Sequence, residues 1–569
     1  MLLRFTLLAL LVLAPPCSLA TDDSARADDR RVVEAHRGMV VSVSGPASDV
    51  GLVVLKDGGN AVDAAVATAF ALAVTWPEAG NIGGGGFMLV APPGKPPECI
   101  DYRETAPAAA TERMFQPGET NLSHRAVGTP GTVRGLALAH RRHGKLKWRR
   151  LLEPAVRLAA EGFAIDAATA ESLNDVLKDK DSAKFAEFLR VYGKQNADAP
   201  WQAGDRLVQP ELAATLRLIA DEGPDAFYVG KTADLIVAEM QEGGGLIARD
   251  DLARYEAKIR EPVRGTYRGY DVFAPPPPSS GGICLVEMLN MLERFDLRKL
   301  GRESPQTAHL TIEAMRRAYR DRAAHLGDSD FVTIPQHLTT KEYAAKLAAG
   351  IDRQHPTASA ALAGEIDLAA ESEHTTHFSV IDANGLAVSN TYTLEESFGS
   401  RVVVRGAGFL LNNEMGDFNW QPGYTDRSGR IGTTPNLIAP RKRMLSSMTP
   451  TIVARDGKPV LITGSPGGRT IINTVLCVVL GVCEFDLDAK DAVDAPRLHH
   501  AWFPDRVQLE VRGDAAQRAD RTKLADALKS LGHDVRTIDR QGDAHSIFIR
   551  NGVYRGYADP RIAGHAAGY

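Results

Sequence analysis

Two adjacent threonines in the middle of the chain, Thr375 and Thr376, stand between His374 and His377. A threonine hydroxyl is a weak nucleophile unless a base takes its proton. The residue's own α-amine can be that base once the preceding peptide bond is cut, because an α-amine has a pKa near ~8. The hydroxyl can also attack the His374 carbonyl and make the cut itself. The stretch therefore suits a self-cleaving nucleophile, although threonine also simply favours strands.

A β-hairpin is predicted to follow directly. The dipeptide Asn384-Gly385 is the strongest short hairpin signal, and it separates "TTHFSVID" from "LAVSNTYTL". A loop of two or three residues places position 392, 393 or 394 across from Thr375. Thr393 is the middle one of these positions, and paired or diagonal strand residues can touch. A second hydroxyl is therefore expected beside Thr375.

The surrounding elements are marked by capping and glycine signals. Asn60 can cap a helix that ends at Trp76-Pro77, and another helix is predicted from Pro305 to Gly327. The four glycines 83–86 lead into "FMLV" and indicate backbone packed closely against another segment. They lack the strand-to-helix context of a dinucleotide site. The segment 468–482 is predicted to be a buried helix or a fully buried strand, with Gly-Gly favouring a helix start.

Length and composition narrow the class of protein. A chain of 569 residues is too long for one ordinary core, and its net charge of −5 gives no argument for nucleic acid binding. Residues 1–20 have the pattern of a secretory signal peptide, and a lipid anchor at Cys17 is the alternative. Residues 21–34 are predicted to be a loose leader. No later segment is apolar enough to span a membrane.

Two further features leave alternatives open. Residues 353–372 are polar and Ala-rich, which predicts an exposed or flexible segment just before Thr375. The cysteines after the signal peptide have no metal-binding spacing. They are either paired in an exported protein or buried as free thiols. They are Cys99, Cys284, Cys477 and Cys483.

Motifs along nearly the whole chain resemble those of the γ-glutamyltransferases, also called glutathione hydrolases, of the N-terminal-nucleophile hydrolase superfamily. They are "GGNAVDAAVA", "NIGGGGFMLV", "DYRETAP", "AVGTPGTVRG", "PPPPSSGG", "TTHFSV", "TYTLEESFG", "LLNNEMGDF", "LSSMTPTIV", "GSPGGRTI", "DAPRLHH" and "ADPRIAGHAAGY". The resemblance implies an α+β fold, a four-layer α-β-β-α sandwich. It also implies a signal peptide at 1–20, a heavy subunit of residues 21–374 and a light, catalytic subunit of residues 375–569, which together form one composite domain.

The resemblance also assigns catalytic roles. Thr375 matches the nucleophile, and Thr393 matches the second threonine that hydrogen-bonds it and aids processing. Gly467 and Gly468 match the pair whose backbone N–H groups form the oxyanion hole. Side-chain-free backbone before a helix start suits that task. No lysine follows, so a Walker phosphate loop is excluded.

Substrate-binding roles are carried over in the same way. Arg103 matches the arginine that binds the α-carboxylate of the γ-glutamyl group, helped by the serine pair Ser446 and Ser447. Glu414 and Asp417 match ligands of the α-ammonium group. Glu395 stands where many relatives have asparagine. We hypothesise that its extra negative charge makes the pocket more selective for a cationic α-amine and shifts the pH profile.

The implied activity is cleavage of glutathione and related γ-glutamyl amides, with transfer to water, amino acids or peptides. No metal or organic cofactor is expected, and the subunits are expected to form a heavy–light heterodimer in the periplasm or outside the cell. A lid is expected between Asp417 and Ser446, with Tyr424 and Ser428 near its middle. The alternatives are a β-lactam side-chain acylase of the same superfamily and a non-enzymatic exported binding protein.

Overall fold

The computed structural model describes residues 30–194, 199–364, 368–369 and 375–569. The predicted signal peptide, the Cys17 alternative and His374 lie outside the described residues. Within these ranges, no helix is both long and apolar enough to cross a bilayer.

The strands, in chain order, are β1 Val32–Ala35, β2 Gly38–Ser42, β3 Gly85–Ala91, β4 Glu98–Asp101, β5 Phe163–Ala164, β6 Arg206–Leu207, β7 Lys258–Arg260, β8 Val263–Tyr267, β9 Tyr270–Ala274, β10 Leu368–Ala369, β11 Thr376–Asp382, β12 Ala387–Thr393, β13 Arg430–Ile431, β14 Thr451–Arg455, β15 Lys458–Thr463, β16 Leu498–His499, β17 Val507–Glu510, β18 Val535–Ile538, β19 Ser546–Arg550, β20 Val553–Tyr557 and β21 His565–Gly568.

The α-helices are α1 Gly45–Lys56, α2 Ala61–Thr75, α3 Thr132–His143, α4 Trp148–Glu161, α5 Ala167–Lys178, α6 Ala186–Tyr192, α7 Pro210–Glu222, α8 Asp225–Tyr228, α9 Lys231–Gly243, α10 Arg249–Ala253, α11 Gly281–Leu292, α12 Leu297–Leu300, α13 Pro305–His325, α14 Lys341–Ala349, α15 Thr470–Cys483, α16 Ala489–Asp494 and α17 Ala515–Leu531.

Two seven-stranded sheets form the centre of the molecule. One has the order β1-β20-β19-β15-β14-β9-β8, and the other has the order β21-β2-β11-β12-β3-β4-β7. Apolar side chains of both sheets meet in one cluster, for example Met39 and Phe87 of the second sheet with Ile452 and Ile547 of the first. The two sheets therefore pack face to face.

Helices cover the outer face of each sheet. The outer face of the second sheet shares a large core with α1–α4 and α7, and the outer face of the first shares one with α11, α13 and α15. Every residue of β11 and β12 is buried, because these strands are covered on both faces. The predicted four-layer α-β-β-α sandwich is confirmed.

Several local predictions are confirmed. Asn60 caps α2 through a capping box with Asp63, and Trp76 ends that helix. Ser304 caps α13, and the segment after Gly468 is the helix α15 rather than a strand. The glycine run packs against neighbouring backbone, since a Cβ at Gly86 would lie 2.4 Å from the Thr391 carbonyl oxygen.

Three further expectations have mixed outcomes: one is wrong, one holds for most of its residues, and one open alternative is decided. Residues 32–34 of the predicted loose leader belong to the edge strand β1, which pairs with β20. The segment 353–372, where described, is mostly exposed, but Ser359 is fully buried. All four cysteines from residue 30 onward in the described chain are free thiols. Burial raises the pKa of each of them.

Candidate active site

The hairpin β11–β12 places the two predicted catalytic threonines side by side. Its register pairs Thr376 with Tyr392 and His377 with Thr391, so one further step sets Thr375 across from Thr393. The register confirms the expected position of the second hydroxyl. Both threonines line one cavity, and the Thr393 hydroxyl accepts a hydrogen bond of 2.9 Å from the Glu395 N–H.

The end of β12 is held by the glycine run. Asn81 donates its amide to the Thr393 carbonyl (2.8 Å) and accepts from the Gly84 N–H (2.9 Å). A Cβ at Gly84 would lie 2.0 Å from the Thr393 carbonyl oxygen, closer than any side chain allows. Glycine at position 84 therefore lets this loop lie directly against the backbone of the second threonine.

The predicted oxyanion-hole glycines form a tight turn before α15. Gly467 has a φ of +123° and Gly468 has a φ of +51°, both in the region that favours glycine. The Gly467 carbonyl accepts bonds from the Thr470 N–H (2.9 Å) and hydroxyl (2.7 Å), which fixes the turn. Within the described chain, neither glycine N–H has a hydrogen-bond acceptor. Both N–H groups can therefore still donate a hydrogen bond.

His377, the imidazole next to the threonines, has a structural place. Its ring nitrogens lie 2.8 Å from the Thr391 hydroxyl and 3.0 Å from the Ser379 hydroxyl. Burial lowers the pKa of His377 well below its usual range, so the ring is neutral. His377 does not line the cavity of Thr375.

Arg103 is the buried cation at the other end of the cavity. Its guanidinium pairs with the carboxylates of Glu414 and Asp417, and its Nε donates to the Met444 carbonyl (3.3 Å). Burial disfavours its charge, yet Glu414 and Asp417 raise the pKa of Arg103 above its ordinary value. The predicted carboxylate-binding and ammonium-binding groups therefore contact each other directly.

The carboxyl groups around Arg103 outnumber it. Burial raises the pKa of Glu414 to about 8 and that of Glu104 to about 7, in spite of Arg103. Burial also raises the pKa of Glu395 well above its usual range, with Asp417 and Glu396 adding to the effect. This end of the cavity therefore has a deficit of positive charge, which a substrate ammonium group would fill.

The serine pair lies beside the proline-rich turn. The Ser446 N–H donates to the Pro278 carbonyl (2.8 Å), and its own carbonyl accepts from the Ser280 N–H (2.8 Å). The Ser447 hydroxyl accepts from Arg322 (3.1 Å). The turn thus fixes the backbone that presents both hydroxyls to the cavity.

One cavity brings the predicted residues together. It holds about 20 Å³, room for about one water. Gly467 does not line the cavity but adjoins Gly468, which does. The other predicted residues all line it: Thr375, Thr393, Gly468, Arg103, Glu395, Glu414, Asp417, Ser446 and Ser447.

Sequence reasoning missed three polar residues at or beside this site. Arg469 lines the cavity itself. Glu104 is fully buried 3.7 Å from Arg103, and its place directly after Arg103 in "DYRETAP" was an available signal. Asn121 donates its side-chain amide to Glu395 (3.2 Å) and Glu396 (3.0 Å). Asn121 lies in a polar loop with no local pattern, so nothing in the sequence pointed to it.

The loop between Asp417 and Ser446 borders a neighbouring cavity of about 390 Å³ that shares Glu395. Trp420 of this loop stacks on Phe115, with ring centroids 3.8 Å apart. Tyr424 lines the neighbouring cavity, while Ser428 is exposed and hydrogen-bonds Asp426. The loop thus lies beside the site, as a lid would.

Residues 47–569 match the family model described as Gamma-glutamyltranspeptidase. A curated "Glutathione hydrolase proenzyme" of Escherichia coli (strain K12) is 44% identical over 98% of this chain and 95% of its own length.

Solved structures of related enzymes are also similar to this chain. The cephalosporin acylase from Bacillus halodurans has a TM-score of 0.82 and 26% identity, covering 98% of this chain and 99% of its own. The Helicobacter pylori gamma-glutamyltranspeptidase has a TM-score of 0.54 and 41% identity, covering 55% of this chain and 91% of its own. With its fold, its cavity and these matches, the chain belongs to the γ-glutamyltranspeptidase family.

Proposed function

We propose that this protein is a self-processing γ-glutamyltransferase and glutathione hydrolase whose nucleophile is Thr375. The observation that carries the proposal is the single cavity that holds Thr375 and Thr393 at one end and Arg103 with its carboxylates at the other. That arrangement suits a substrate with a reactive amide at one end and an α-amino acid group at the other.

Self-cleavage comes first. The Thr375 hydroxyl oxygen bonds to the carbonyl carbon of His374, the peptide C–N bond breaks, and the nitrogen takes the hydroxyl proton. Water then hydrolyses the resulting ester. Residues up to 374 become the heavy subunit, and residues 375–569 become the light subunit with a free α-amine.

Turnover uses the same hydroxyl. The α-amine takes its proton while the oxygen attacks the γ-carbonyl, and the N–H groups of Gly467 and Gly468 stabilise the oxyanion. The amine of the leaving group takes a proton and departs, which leaves a γ-glutamyl ester on Thr375. Water, or the amine of an amino acid or peptide, then attacks that ester.

Substrate binding is assigned to the charged end of the cavity. Arg103, Ser446 and Ser447 hold the α-carboxylate, and Glu395, Glu414 and Asp417 hold the α-ammonium. The ammonium group supplies the positive charge that this end lacks, and the carboxylate displaces Glu414 or Asp417 from Arg103. Glutathione and other γ-glutamyl compounds satisfy both requirements, and the name of the Escherichia coli relative agrees.

The second candidate function is a β-lactam side-chain acylase, favoured by the likeness to the Bacillus halodurans enzyme. A glutaryl substrate has no α-ammonium group, so the buried carboxyls Glu395, Glu414 and Asp417 argue against it. The test compares turnover of γ-glutamyl and glutaryl anilides and sequences the N-terminus of the small fragment. We expect a fragment that begins at Thr375 and a preference for the γ-glutamyl anilide; the reverse preference would establish the acylase.

Export is proposed from residues 1–20, which carry the signal-peptide pattern. The mature protein is then periplasmic or extracellular. Mass spectrometry of the protein purified from a cell fraction outside the cytoplasm tests this, with a mature N-terminus after Ala20 expected and an intact residue 1 as the contrary result.

A further inference from the structure

Ser359 is fully buried in the mostly exposed segment that precedes Thr375, where Ala363 is buried as well. All of its polar groups are bonded. Its N–H donates to the Asp505 carboxylate (2.7 Å), its carbonyl accepts from the Trp502 indole N–H (2.9 Å), and its hydroxyl accepts from Arg316. We call Arg316, Trp502 and Asp505 the Ser359 dock.

The dock is a built site rather than a chance surface contact. Arg316 is 2% exposed and pairs with both Glu313 (3.1 Å) and Asp505, while Trp502 is fully buried. His500 adds a contact of 3.2 Å to the Asp505 carboxylate. Trp502 and Asp505 follow Thr375 in the sequence, so the part beyond the proposed cut holds the part before it.

A second contact lies closer to Thr375. The backbone of β10 pairs antiparallel with β13, which belongs to the loop between Asp417 and Ser446. The carbonyl next to β13, that of Gly429, accepts from the Arg469 guanidinium (3.2 Å). Arg469 directly follows Gly468, so this hydrogen bond links the residue before β13 to the turn formed by Gly467 and Gly468.

We propose that the Ser359 dock and β13 together position the chain before Thr375 for self-cleavage; this inference rests on the proposed self-processing. Attack by Thr375 needs the preceding carbonyl within reach. The β10 pairing ends six residues before Thr375, Ser359 lies sixteen residues before it, and Thr357, whose N–H donates to Glu313 (3.1 Å), lies eighteen residues before it. A two-residue pairing is too short to persist alone. The dock therefore keeps β10 near β13.

The size of the effect follows from loop length. The entropic cost of bringing two points of a chain together grows as about (3/2)RT ln n, where n is the number of residues between them. Freeing the chain back to Thr357 raises n from six to eighteen and slows self-cleavage by about fivefold. Losing β10–β13 alone raises n to thirteen, counted from Leu362, whose carbonyl accepts from Arg320 (3.1 Å), and slows the cut by about threefold.

The test is the time course of self-cleavage in the full chain, followed as loss of uncut protein on a denaturing gel. Ser359→Glu places a bulky anion against Asp505 and ejects the segment, while Ala360→Glu changes the exposed neighbouring residue by the same chemistry. We expect Ser359→Glu to cut about fivefold slower and Ala360→Glu to cut at the native rate. Once cut, both should show the native kcat and KM, which a general loss of structure would lower.

Two further variants complete the design. Ser359→Ala loses only the bond from Arg316 and is expected to slow the cut by about twofold, which keeps the test open should Ser359→Glu not fold. The paired change Leu368→Pro with Ala369→Pro removes the N–H donors of β10 and is expected to slow the cut about threefold. Equal rates for Ser359→Glu and Ala360→Glu would overturn the inference. A Thr375→Ala chain that still cuts would instead overturn the proposed function.

Discussion

The two ends of the cavity are built in opposite ways. The Thr375 end is made mainly of hydroxyls and backbone amides with the Arg469 side chain beside them, and strand register and the fixed turn of Gly467 and Gly468 place these groups. The Arg103 end is made of charged groups, with one guanidinium facing several carboxyls. Backbone geometry fixes the positions of the groups at the Thr375 end. The net charge of the Arg103 end depends on how many of its carboxyl groups are protonated and on how many cations are bound.

The two ends of the cavity should therefore tolerate different kinds of substitution. Small changes in backbone position damage the Thr375 end because proximity and orientation dominate its chemistry. Changes of charge damage the Arg103 end because buried charges are costly when they are left without compensation. Five predictions, from the largest expected effect to the smallest, test this contrast.

Thr375→Ala removes the nucleophile of both proposed reactions. The chain is expected to stay uncut, with γ-glutamyl anilide turnover at least about 1000-fold lower. Thr375→Ser keeps a hydroxyl and is expected to cut and to retain measurable turnover. A denaturing gel measures the cleavage and a rate assay measures the turnover. A Thr375→Ala variant that is cut and active would show that the nucleophile at the Thr375 end is misassigned.

Arg103→Gln removes the cation of the charged end. We expect kcat/KM to fall by about 100-fold, mainly through KM, since bonds to charged groups contribute about 1.5–3 kcal/mol each. Arg427→Gln, an exposed arginine in the neighbouring loop, is the matched control and should be neutral. A fall in kcat at unchanged KM would mean that Arg103 serves the chemical step instead of substrate binding.

Gly84→Ala tests whether the geometry of the Thr375 end depends on close backbone packing. The added Cβ meets the Thr393 carbonyl oxygen at 2.0 Å, so the strand end must shift. The free energy of unfolding is expected to fall by about 1–3 kcal/mol, and self-cleavage should slow. Gly350→Ala, whose nearest atom lies 3.5 Å away, is the control. Denaturant unfolding in the Thr375→Ala background measures the difference, and equal stabilities would contradict the close packing.

The protonation state of the carboxyl groups at the Arg103 end predicts that ligand binding depends on pH. Glu414 has a pKa of about 8 without substrate, so it is largely neutral at pH 6 and ionised above pH 8.5. An ammonium ligand binds the ionised form, so the inhibition constant of L-glutamate should fall several-fold as pH rises from 6 to 8.5. Glu104→Gln removes a neighbouring carboxyl that raises this pKa, and the midpoint should move to lower pH.

Glu395→Asn sharpens the same point. Removing this carboxyl should raise the KM of the γ-glutamyl substrate and weaken its pH dependence, measured from pH 6 to 9. A KM unchanged across that range would refute the hypothesis that Glu395 selects a cationic α-amine.

The sequence predicted the contacts at the Thr375 end of the cavity better than those at the Arg103 end. Asn384-Gly385 fixed the hairpin register, and register alone placed Thr393 beside Thr375, because strand pairing follows a simple local rule. No local rule predicts that Asn121 reaches Glu395 or that Ser359 enters a dock. Those contacts join segments brought together only by the folded core.

The same limit explains β1. Its residues follow a charged stretch and read as a leader, yet they pair with β20 more than 500 residues away. An edge strand of this kind takes its order from an existing sheet rather than from its own sequence.

The strand orders have a consequence for the cut protein. In each sheet, strands from before and after Thr375 are neighbours: β2 lies between β21 and β11, and β14 lies between β15 and β9. Once the proposed bond is broken, the two fragments share continuous main-chain ladders and cannot part without dismantling both sheets. Their dissociation would therefore be the same event as global unfolding. Dilution should not separate them, and neither fragment alone should have a native state to return to.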